Sequence, residues 1–95
     1  MSNKESLRKP SEVVNTAGIH ARSAALIVHL SETYPDTNLT IIKSETSARA
    51  DNMIDLLMLE ATKGSKLELV AEGPSAAEAL DALSVLIASG FSEDQ

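Results

Sequence analysis

Apolar residues recur at spacings of three and four in three segments of the chain, which is the repeat of one face of an α-helix. The pattern predicts helices over residues 21 to about 33, from residue 53 onward, and over residues 74–90. Gly64 and Gly90 are placed to end the last two of these helices. The positions that define the buried faces are Ala24, Ile27, Val28 and Ser31 in the first helix and Ala79, Leu80, Leu83, Leu86 and Ile87 in the last.

The starts of the two later helices are also marked by suitable residues. Asp51 or Asn52 can cap the middle helix, because a short polar side chain accepts a hydrogen bond from the first free N–H groups. Pro74 suits the first turn of the last helix, where its missing N–H is no loss.

Four shorter segments have the composition or the alternation of strands. Residues 39–43 (LTIIK) are apolar and β-branched, and residues 45–50 (ETSARA) follow them after a turn. Residues 65–73 alternate apolar and polar side chains, which predicts a strand with one largely polar face. The first strand is predicted around Val13 and Val14. The order β-α-β-β-α-β-α predicts an α+β domain in which helices cover one face of a four-stranded, mainly antiparallel sheet.

The length of 95 residues allows one domain with a single modest core. Residues 1–10 are polar and have no apolar repeat, so we predict a flexible leader there. The domain itself is predicted at residues 11–91, and an acidic tail is predicted at residues 92–95.

Composition and charge exclude several classes of function. The chain has no cysteine, which excludes disulfides, thiolate nucleophiles and cysteine-ligated metal sites. A net charge of −6 and only two aromatic residues, Tyr34 and Phe91, argue against nucleic acid as a partner. No stretch has the apolar length of a secretory signal or a membrane span, so we expect a cytoplasmic protein with no membrane partner.

The segment NTAGIHARSAAL places His20 and Arg22 at the predicted start of the first helix. The first N–H groups of a helix are unpaired and bind anions, phosphate in particular. Arg22 adds a guanidinium that can hold phosphate oxygens by two hydrogen bonds, and a neutral imidazole has a lone pair that can accept a phosphoryl group. The pattern is short, so an ordinary turn histidine is the alternative interpretation. We expect His29, in the middle of the helix, to be structural.

The chain offers little for catalysis on its own. It has one well-placed histidine, no metal-ligand spacing and no glycine-rich nucleotide loop. We therefore predict a carrier that other enzymes act on rather than an enzyme, with no cofactor and no metal.

The chain resembles the histidine-containing phosphocarrier (HPr) family of the bacterial phosphoenolpyruvate-dependent phosphotransferase system. The resemblance rests on NTAGIHARSAA, on MIDLLMLEATKGSKLELVAEGPSAAEAL and on their spacing over about residues 11–90. It implies an open-faced β-sandwich of order βαββαβα. The segments LLMLEATKG and SGFSED are more similar to the nitrogen-branch (NPr) members than to the sugar-transport members.

The resemblance also implies a role for each site residue. His20 matches the histidine that enzyme I phosphorylates on Nδ1 and that passes the phosphoryl group to an EIIA-type protein. Arg22 matches the arginine that contacts the phosphoryl group. The backbone N–H groups of Ala21 and Arg22 are expected to bind the phosphate.

Partners are expected to dock on the middle helix. Met53 and Ile54 match the apolar pair that contacts enzyme I and EIIA, and Leu57 lies on the same predicted face. Leu56 and Leu59 are predicted to lie in the core. Met53, Ile54 and Leu57 are predicted to form an exposed patch, because the short helix has more apolar positions than one buried face can use. The alternative is that all five belong to the core.

Two positions depart from the family pattern. Ser23 stands where proline is common, which should cost a little pre-organisation because proline favours the first helical position. Asn52 stands where many members have a serine that a dedicated kinase phosphorylates. Asparagine has no hydroxyl, so we expect no such modification and predict a helix cap instead.

Other functions fit the same residues. The carrier could serve the sugar-transport branch, or the protein could be a regulatory binding module whose phosphorylation state is the signal. A small-molecule sensor has less support, because the sequence predicts no evident pocket. We expect a monomer whose partners are enzyme I and an EIIA-type protein.

Overall fold

The computed structural model describes residues 6–93, which form four strands and three α-helices in the order βαββαβα. The helices pack together on one side of the sheet, as predicted: α3 lies against β1, β4 and β2, α2 lies against β3, and α1 contacts both other helices. The strands are β1 (Ser6–Glu12), β2 (Asn38–Lys43), β3 (Thr46–Arg49) and β4 (Lys66–Glu72). The helices are α1 (Ala21–Thr33), α2 (Met53–Met58) and α3 (Ala76–Ala88), followed by a 3-10 turn at Gly90–Ser92.

The sheet is antiparallel throughout, with the strand order β1-β4-β2-β3. In the central strand β4, Leu67, Leu69 and Ala71 are buried and alternate with partly exposed residues, as the sequence predicts. This alternation gives the sheet one apolar face, which the helices cover, and one open face. The prediction of an α+β, open-faced β-sandwich is therefore confirmed.

The first strand lies earlier in the chain than predicted. Residues 6–10, which we expected to belong to a flexible leader, are part of β1 and pair with β4 from Ser6 opposite Glu72 to Glu12 opposite Lys66. A strand at the edge of a sheet needs only backbone hydrogen bonds on one side, so its side chains can be polar and Pro10 can be accommodated. A polar edge strand has no apolar repeat, so the sequence pattern does not predict the strand at residues 6–10.

The two ends of the predicted domain also differ in the structure. Val13, at the centre of the predicted first strand, lies directly after β1. It is buried there, and its N–H donates to the carbonyl of Ser65 at 3.0 Å. At the other end of the chain, Ser92 completes the 3-10 turn and Glu93 makes contacts described below. The leader prediction for residues 1–5 and the tail prediction for residues 94–95 lie outside the described residues.

The ends of two helices also differ from the predictions. α2 ends at Met58 and not near Gly64, and Lys43 Nζ donates to the carbonyls of Leu59 and Glu60 just beyond it, at 3.1 and 3.2 Å. A cation near the C-terminal carbonyls of a helix satisfies groups that the helix leaves unpaired. Pro74 precedes α3, which begins at Ala76, and is therefore outside the first turn.

The core lies between the helices and the apolar face of the sheet. In α1, Ala24, Ile27 and Ser31 are buried as predicted, whereas Val28 is only partly buried. In α3, four residues of the predicted buried face are buried and Leu86 is only partly buried; the four are Ala79, Leu80, Leu83 and Ile87. None of the helices within residues 6–93 is long and apolar enough to cross a bilayer.

Phe91 fixes the end of the chain to the core. Its side chain is fully buried, and the 3-10 turn that contains it packs against α3. The backbone of Phe91 has φ of 58°, in the left-handed region, and Gly90 before it has φ of 68°. Three successive left-handed residues, with Ser92 at φ of 59°, turn the chain sharply after α3 and direct Glu93 toward the start of α1.

Candidate functional site

His20 is the N-cap of α1. Its backbone is extended, with φ of −124° and ψ of −170°, and its side-chain Nδ1 accepts a hydrogen bond from the N–H of Arg22 at 3.3 Å. The N–H of the third helical residue also contacts the ring. An imidazole is an unusual cap, but a neutral ring nitrogen with a lone pair can perform the task of the usual hydroxyl or carboxylate oxygen. Nδ1 therefore faces the backbone N–H groups that open the helix.

Ser23 completes a reciprocal cap at the same helix end. Its hydroxyl accepts from the N–H of His20 at 2.9 Å and lies 3.1 Å from the carbonyl oxygen of Gly18, to which it can donate. Ser23 is fully buried and is the third helical residue. The prediction that Ser23 costs pre-organisation relative to proline rests on Ser23 being at the first helical position. The structure instead places Ser23 where its hydroxyl contributes hydrogen bonds that proline lacks.

The turn before His20 requires glycine. Gly18 has φ of +70°, and a Cβ atom there would overlap the carbonyl oxygen of Ala61. The N–H of the next residue, Ile19, donates to that same oxygen at 2.9 Å. The loop that carries the histidine is thus fixed to the segment between α2 and β4.

Glu93 contacts His20 from the other end of the chain. One carboxylate oxygen, Oε2, lies 2.8 Å from Nε2 of His20 and 2.9 Å from Nη1 of Arg22. The other, Oε1, accepts from Nδ2 of Asn15 at 2.8 Å. The sequence places Glu93 in a predicted acidic tail and does not single out Asn15, because no local pattern relates Glu93 to residues 73 and 78 positions earlier.

These donors change the acidity of Glu93. Hydrogen bonds from Asn15 and His20, and then from Arg22, hold the pKa of Glu93 below its ordinary value of 4.5, while its partial burial opposes the shift. The side chain is only 14% exposed, compared with 38% for His20 and 59% for Arg22. At neutral pH the site therefore contains an ionised carboxylate between an imidazole and a guanidinium.

The predicted phosphate-binding residues lie together. Ala21 is the first residue of α1, and Arg22 presents its backbone N–H to Nδ1 of His20 and its guanidinium to Glu93. The other histidine, His29, is exposed farther along α1. Within residues 6–93, no three histidine, cysteine, aspartate or glutamate side chains are grouped as metal ligands.

The middle helix presents an apolar surface beside α1. Ile54 and Met58 are 65% and 68% exposed, and Leu57 is 37% exposed. We call these three residues the α2 patch. Met53, predicted to belong to the exposed surface, is instead half-buried and packed against the core. Met58 was missed, because sequence periodicity does not show where so short a helix ends.

Two structural predictions for this helix, its buried leucines and its cap, are confirmed. Leu56 and Leu59 are buried in the core. Asn52 is the N-cap, and its side-chain oxygen accepts from the N–H of Asp55 at 3.0 Å.

A groove lies apart from these residues, although the sequence predicted no evident pocket. It has a volume of about 510 Å³ and contains none of the site residues. Its walls come from the C-terminal end of α1, the loop that follows, β2 and the end of β3, and include Ser31, Tyr34, Thr37, Leu39 and Arg49.

The chain is similar to known proteins over most of its length. The sequence model of a family described as "PTS HPr component phosphorylation site" matches residues 7–89. Phosphocarrier protein NPr of Klebsiella oxytoca is 38% identical over 88 residues, which cover 93% of this chain and 98% of that protein. Phosphocarrier protein HPr of Treponema pallidum is 36% identical over 86 residues, which cover 90% of this chain and 97% of that protein.

A solved structure agrees with the sequence relatives. The crystal structure of HPr-C-His from Thermoanaerobacter tengcongensis superimposes with a TM-score of 0.87 at 30% sequence identity. The superposition covers 94% of this chain and 99% of that one. The order of the elements therefore agrees with that of a solved HPr structure.

Proposed function

Since this chain belongs to the HPr family of phosphocarrier proteins of the phosphotransferase system, we propose that His20 is the residue that carries the phosphoryl group. The observation that supports the proposal is the position of Nδ1, which faces the backbone N–H groups at the start of α1. A phosphoryl group on Nδ1 would lie beside those donors, whereas one on Nε2 would lie on the side of Glu93.

The transfer is a substitution at phosphorus. The lone pair of Nδ1 attacks the phosphohistidine of enzyme I, and the electron pair of the breaking P–N bond returns to the histidine of enzyme I. Arg22, whose guanidinium is exposed and able to move, supplies positive charge to the phosphoryl oxygens. The protein is a carrier and not an enzyme, because it is itself the substrate of each transfer.

An EIIA-type protein takes the phosphoryl group in the second step, with the electron pair returning to Nδ1. Enzyme I and the EIIA-type protein both have to bring a histidine to Nδ1 of the partly exposed His20, and α2 packs beside the helix that begins there. We assign docking to the α2 patch together with the half-buried Met53. An exposed site on a cytoplasmic monomer suits a carrier that meets two partners in turn.

We assign the carrier to the nitrogen regulatory branch. The segments LLMLEATKG and SGFSED support this branch, as do several NPr relatives at 38% identity. An HPr relative at 36% identity keeps the sugar-transport branch as the alternative. Competition between the two types of EIIA for phosphorylated protein distinguishes them, and the nitrogen-branch EIIA should remove the phosphoryl group faster.

Regulation by serine phosphorylation is not expected at the start of α2. Asn52 occupies the cap position and has no hydroxyl, and its side-chain oxygen is engaged with the N–H of Asp55. A dedicated kinase should therefore leave this position unmodified.

Phosphorylation by enzyme I tests the proposal. Incubation with phosphoenolpyruvate and enzyme I should give a phosphate that is labile in acid and stable in base. His20→Ala should abolish the label, whereas His29→Ala, which changes the exposed histidine of the same helix, should leave it intact. Labelling of His20→Ala to the wild-type level would refute the assignment.

A regulatory binding role is the second candidate, and the exposure of Ile54 and Met58 favours it. Such a module would bind regulated partners differently in its phosphorylated and unmodified forms. Calorimetric titration of both forms with each EIIA-type protein tests this role. Equal affinities for the two forms would exclude signalling by phosphorylation state through those partners.

A further inference from the structure

We infer that Glu93 is a positioning residue for phosphoryl transfer: its carboxylate holds the proton of His20 on Nε2 and stabilises the charge that the ring gains with the phosphoryl group. This inference rests on the proposed function. It gives a specific task to a residue near the C-terminus, in a segment whose sequence suggests only an acidic tail.

The two nitrogens of His20 have different surroundings. Nδ1 accepts hydrogen bonds from backbone N–H groups, so it has no proton of its own. Nε2 lies 2.8 Å from Oε2 of Glu93, where it can only donate to an ionised carboxylate. Both contacts fit the same neutral tautomer, in which Nδ1 has its lone pair directed toward the helix end.

The carboxylate is itself held in place from several sides. Asn15 is fully buried, and its Nδ2 donates to Oε1 of Glu93 at 2.8 Å and to the carbonyl of Gly18 at 2.9 Å. The N–H of Glu93 donates to the carbonyl of Gly90 at 3.0 Å, and the buried ring of Phe91 anchors this turn. A carboxylate with so few free positions can orient the imidazole rather than follow its motion.

The charge of Glu93 matters during the transfer. When Nδ1 forms its bond to phosphorus while Nε2 keeps its proton, the ring becomes an imidazolium. A carboxylate 2.8 Å from Nε2 stabilises that cation, as carboxylates do beside catalytic histidines. When the acceptor attacks phosphorus, the electron pair returns to Nδ1 and the ring is neutral again. The proton stays on Nε2 throughout, so neither step requires a proton to move.

The alternative is that Glu93 slows phosphoryl transfer by pairing with Arg22. Glu93 binds the guanidinium of Arg22 through the same oxygen, Oε2, at 2.9 Å. If that pairing kept Arg22 from the phosphoryl group, removal of Glu93 would accelerate transfer. The positioning role predicts slower transfer, so the sign of the change separates the two.

The experiment compares Glu93→Gln, Glu93→Ala and Glu93→Asp with wild type. Glutamine keeps an acceptor but loses the charge, alanine loses both, and aspartate keeps the charge on a shorter side chain. Glu68→Gln is the matched control, because it removes an exposed carboxylate that pairs with Arg8 on the sheet. Thermal unfolding of each variant establishes that it is folded under the assay conditions.

Two readouts are needed, and one does not involve phosphorylation. The first is the ¹⁵N and ¹H spectrum of the His20 ring in the unmodified protein, at a pH where the ring is neutral. The second is the single-turnover rate of transfer from phosphorylated enzyme I. We expect a single Nε2–H tautomer in wild type and Glu68→Gln, and a mixture of tautomers in Glu93→Ala.

The transfer rate should fall about tenfold in Glu93→Gln and Glu93→Ala, the lower end of the loss when a metal-binding histidine loses the carboxylate that orients it. Glu93→Asp should recover part of it. Unchanged or faster transfer in Glu93→Ala would overturn the inference, as would slower transfer with wild-type ring signals. If wild type accepted no phosphoryl group, the proposed function would fail, and the ring spectra would still show whether Glu93 fixes the tautomer.

Discussion

At the residue scale, His20 serves as both the cap of α1 and the proposed nucleophile. The cap hydrogen bond from Arg22 is long, at 3.3 Å, so giving it up when Nδ1 becomes bonded to phosphorus costs little. The phosphoryl oxygens can then accept from the same N–H groups. Histidine at a cap position is thus poorly explained by helix stability alone and well explained by phosphoryl transfer.

The reciprocal cap makes Ser23 important for stability. Ser23→Ala removes the buried hydroxyl that accepts from the backbone N–H of His20, so we expect the free energy of unfolding to fall by about 1 kcal/mol. Urea unfolding measures this loss. Ser89→Ala, at an exposed hydroxyl that donates to the carbonyl of Leu86, should change it by less than about 0.5 kcal/mol. A Ser23→Ala midpoint equal to that of wild type would contradict the cap.

At the element scale, α2 is a six-residue helix that divides its apolar side chains between the core and the surface. Leu56 and Leu59 point inward, while the α2 patch of Ile54, Leu57 and Met58 is exposed. Its ends are fixed by side chains from outside the helix: Asn52 caps the start, and Lys43 donates to the carbonyls just beyond the end. The patch is therefore held on a short but well-anchored element.

Substitutions on α2 should separate docking from stability. Ile54→Ser and Met58→Ser remove exposed side chains, so unfolding should change by less than about 0.5 kcal/mol. The rate of transfer from enzyme I at low protein concentration should fall about tenfold, which is about 1.4 kcal/mol of binding energy. Val85→Ser removes an equally exposed apolar side chain from α3 and should leave the rate unchanged. An equal effect of all three would argue against the patch.

At the scale of the whole molecule, the site joins three distant parts of the chain. Asn15 follows β1, His20 begins α1, and Glu93 follows the 3-10 turn after α3. The interaction of Glu93 with the first helix therefore links the end of the described chain to its early part. Its energy depends on the charge of the carboxylate.

Acid should remove this link. The pKa of Glu93 is lowered in the folded protein, so its ionised form stabilises the fold above the ordinary value of 4.5, and that contribution is lost as the pH falls below 4.5. Within residues 6–93, the titratable and charged side chains in contact with Glu93 include His20 and Arg22. In urea unfolding, the difference between wild type and Glu93→Gln should shrink as the pH falls below 4.5. A difference that persists unchanged at strongly acidic pH would contradict the pairing.

The sequence by itself determined the elements whose side chains repeat with a clear period, which are α1, β4 and most of α3. It also determined the cap at Asn52, because a short polar side chain at a helix start is a local signal. It also indicated His20 and Arg22, because their chemistry is local to one helix start. Only the tertiary structure decided that β1 begins at Ser6 and that Glu93 joins the site. The physical reason is the same in both cases. The edge strand β1 is held by backbone pairing with β4, and Glu93 is held by contact with His20, which lies 73 residues earlier in the chain. Neither kind of interaction produces a periodic pattern of side chains in the sequence.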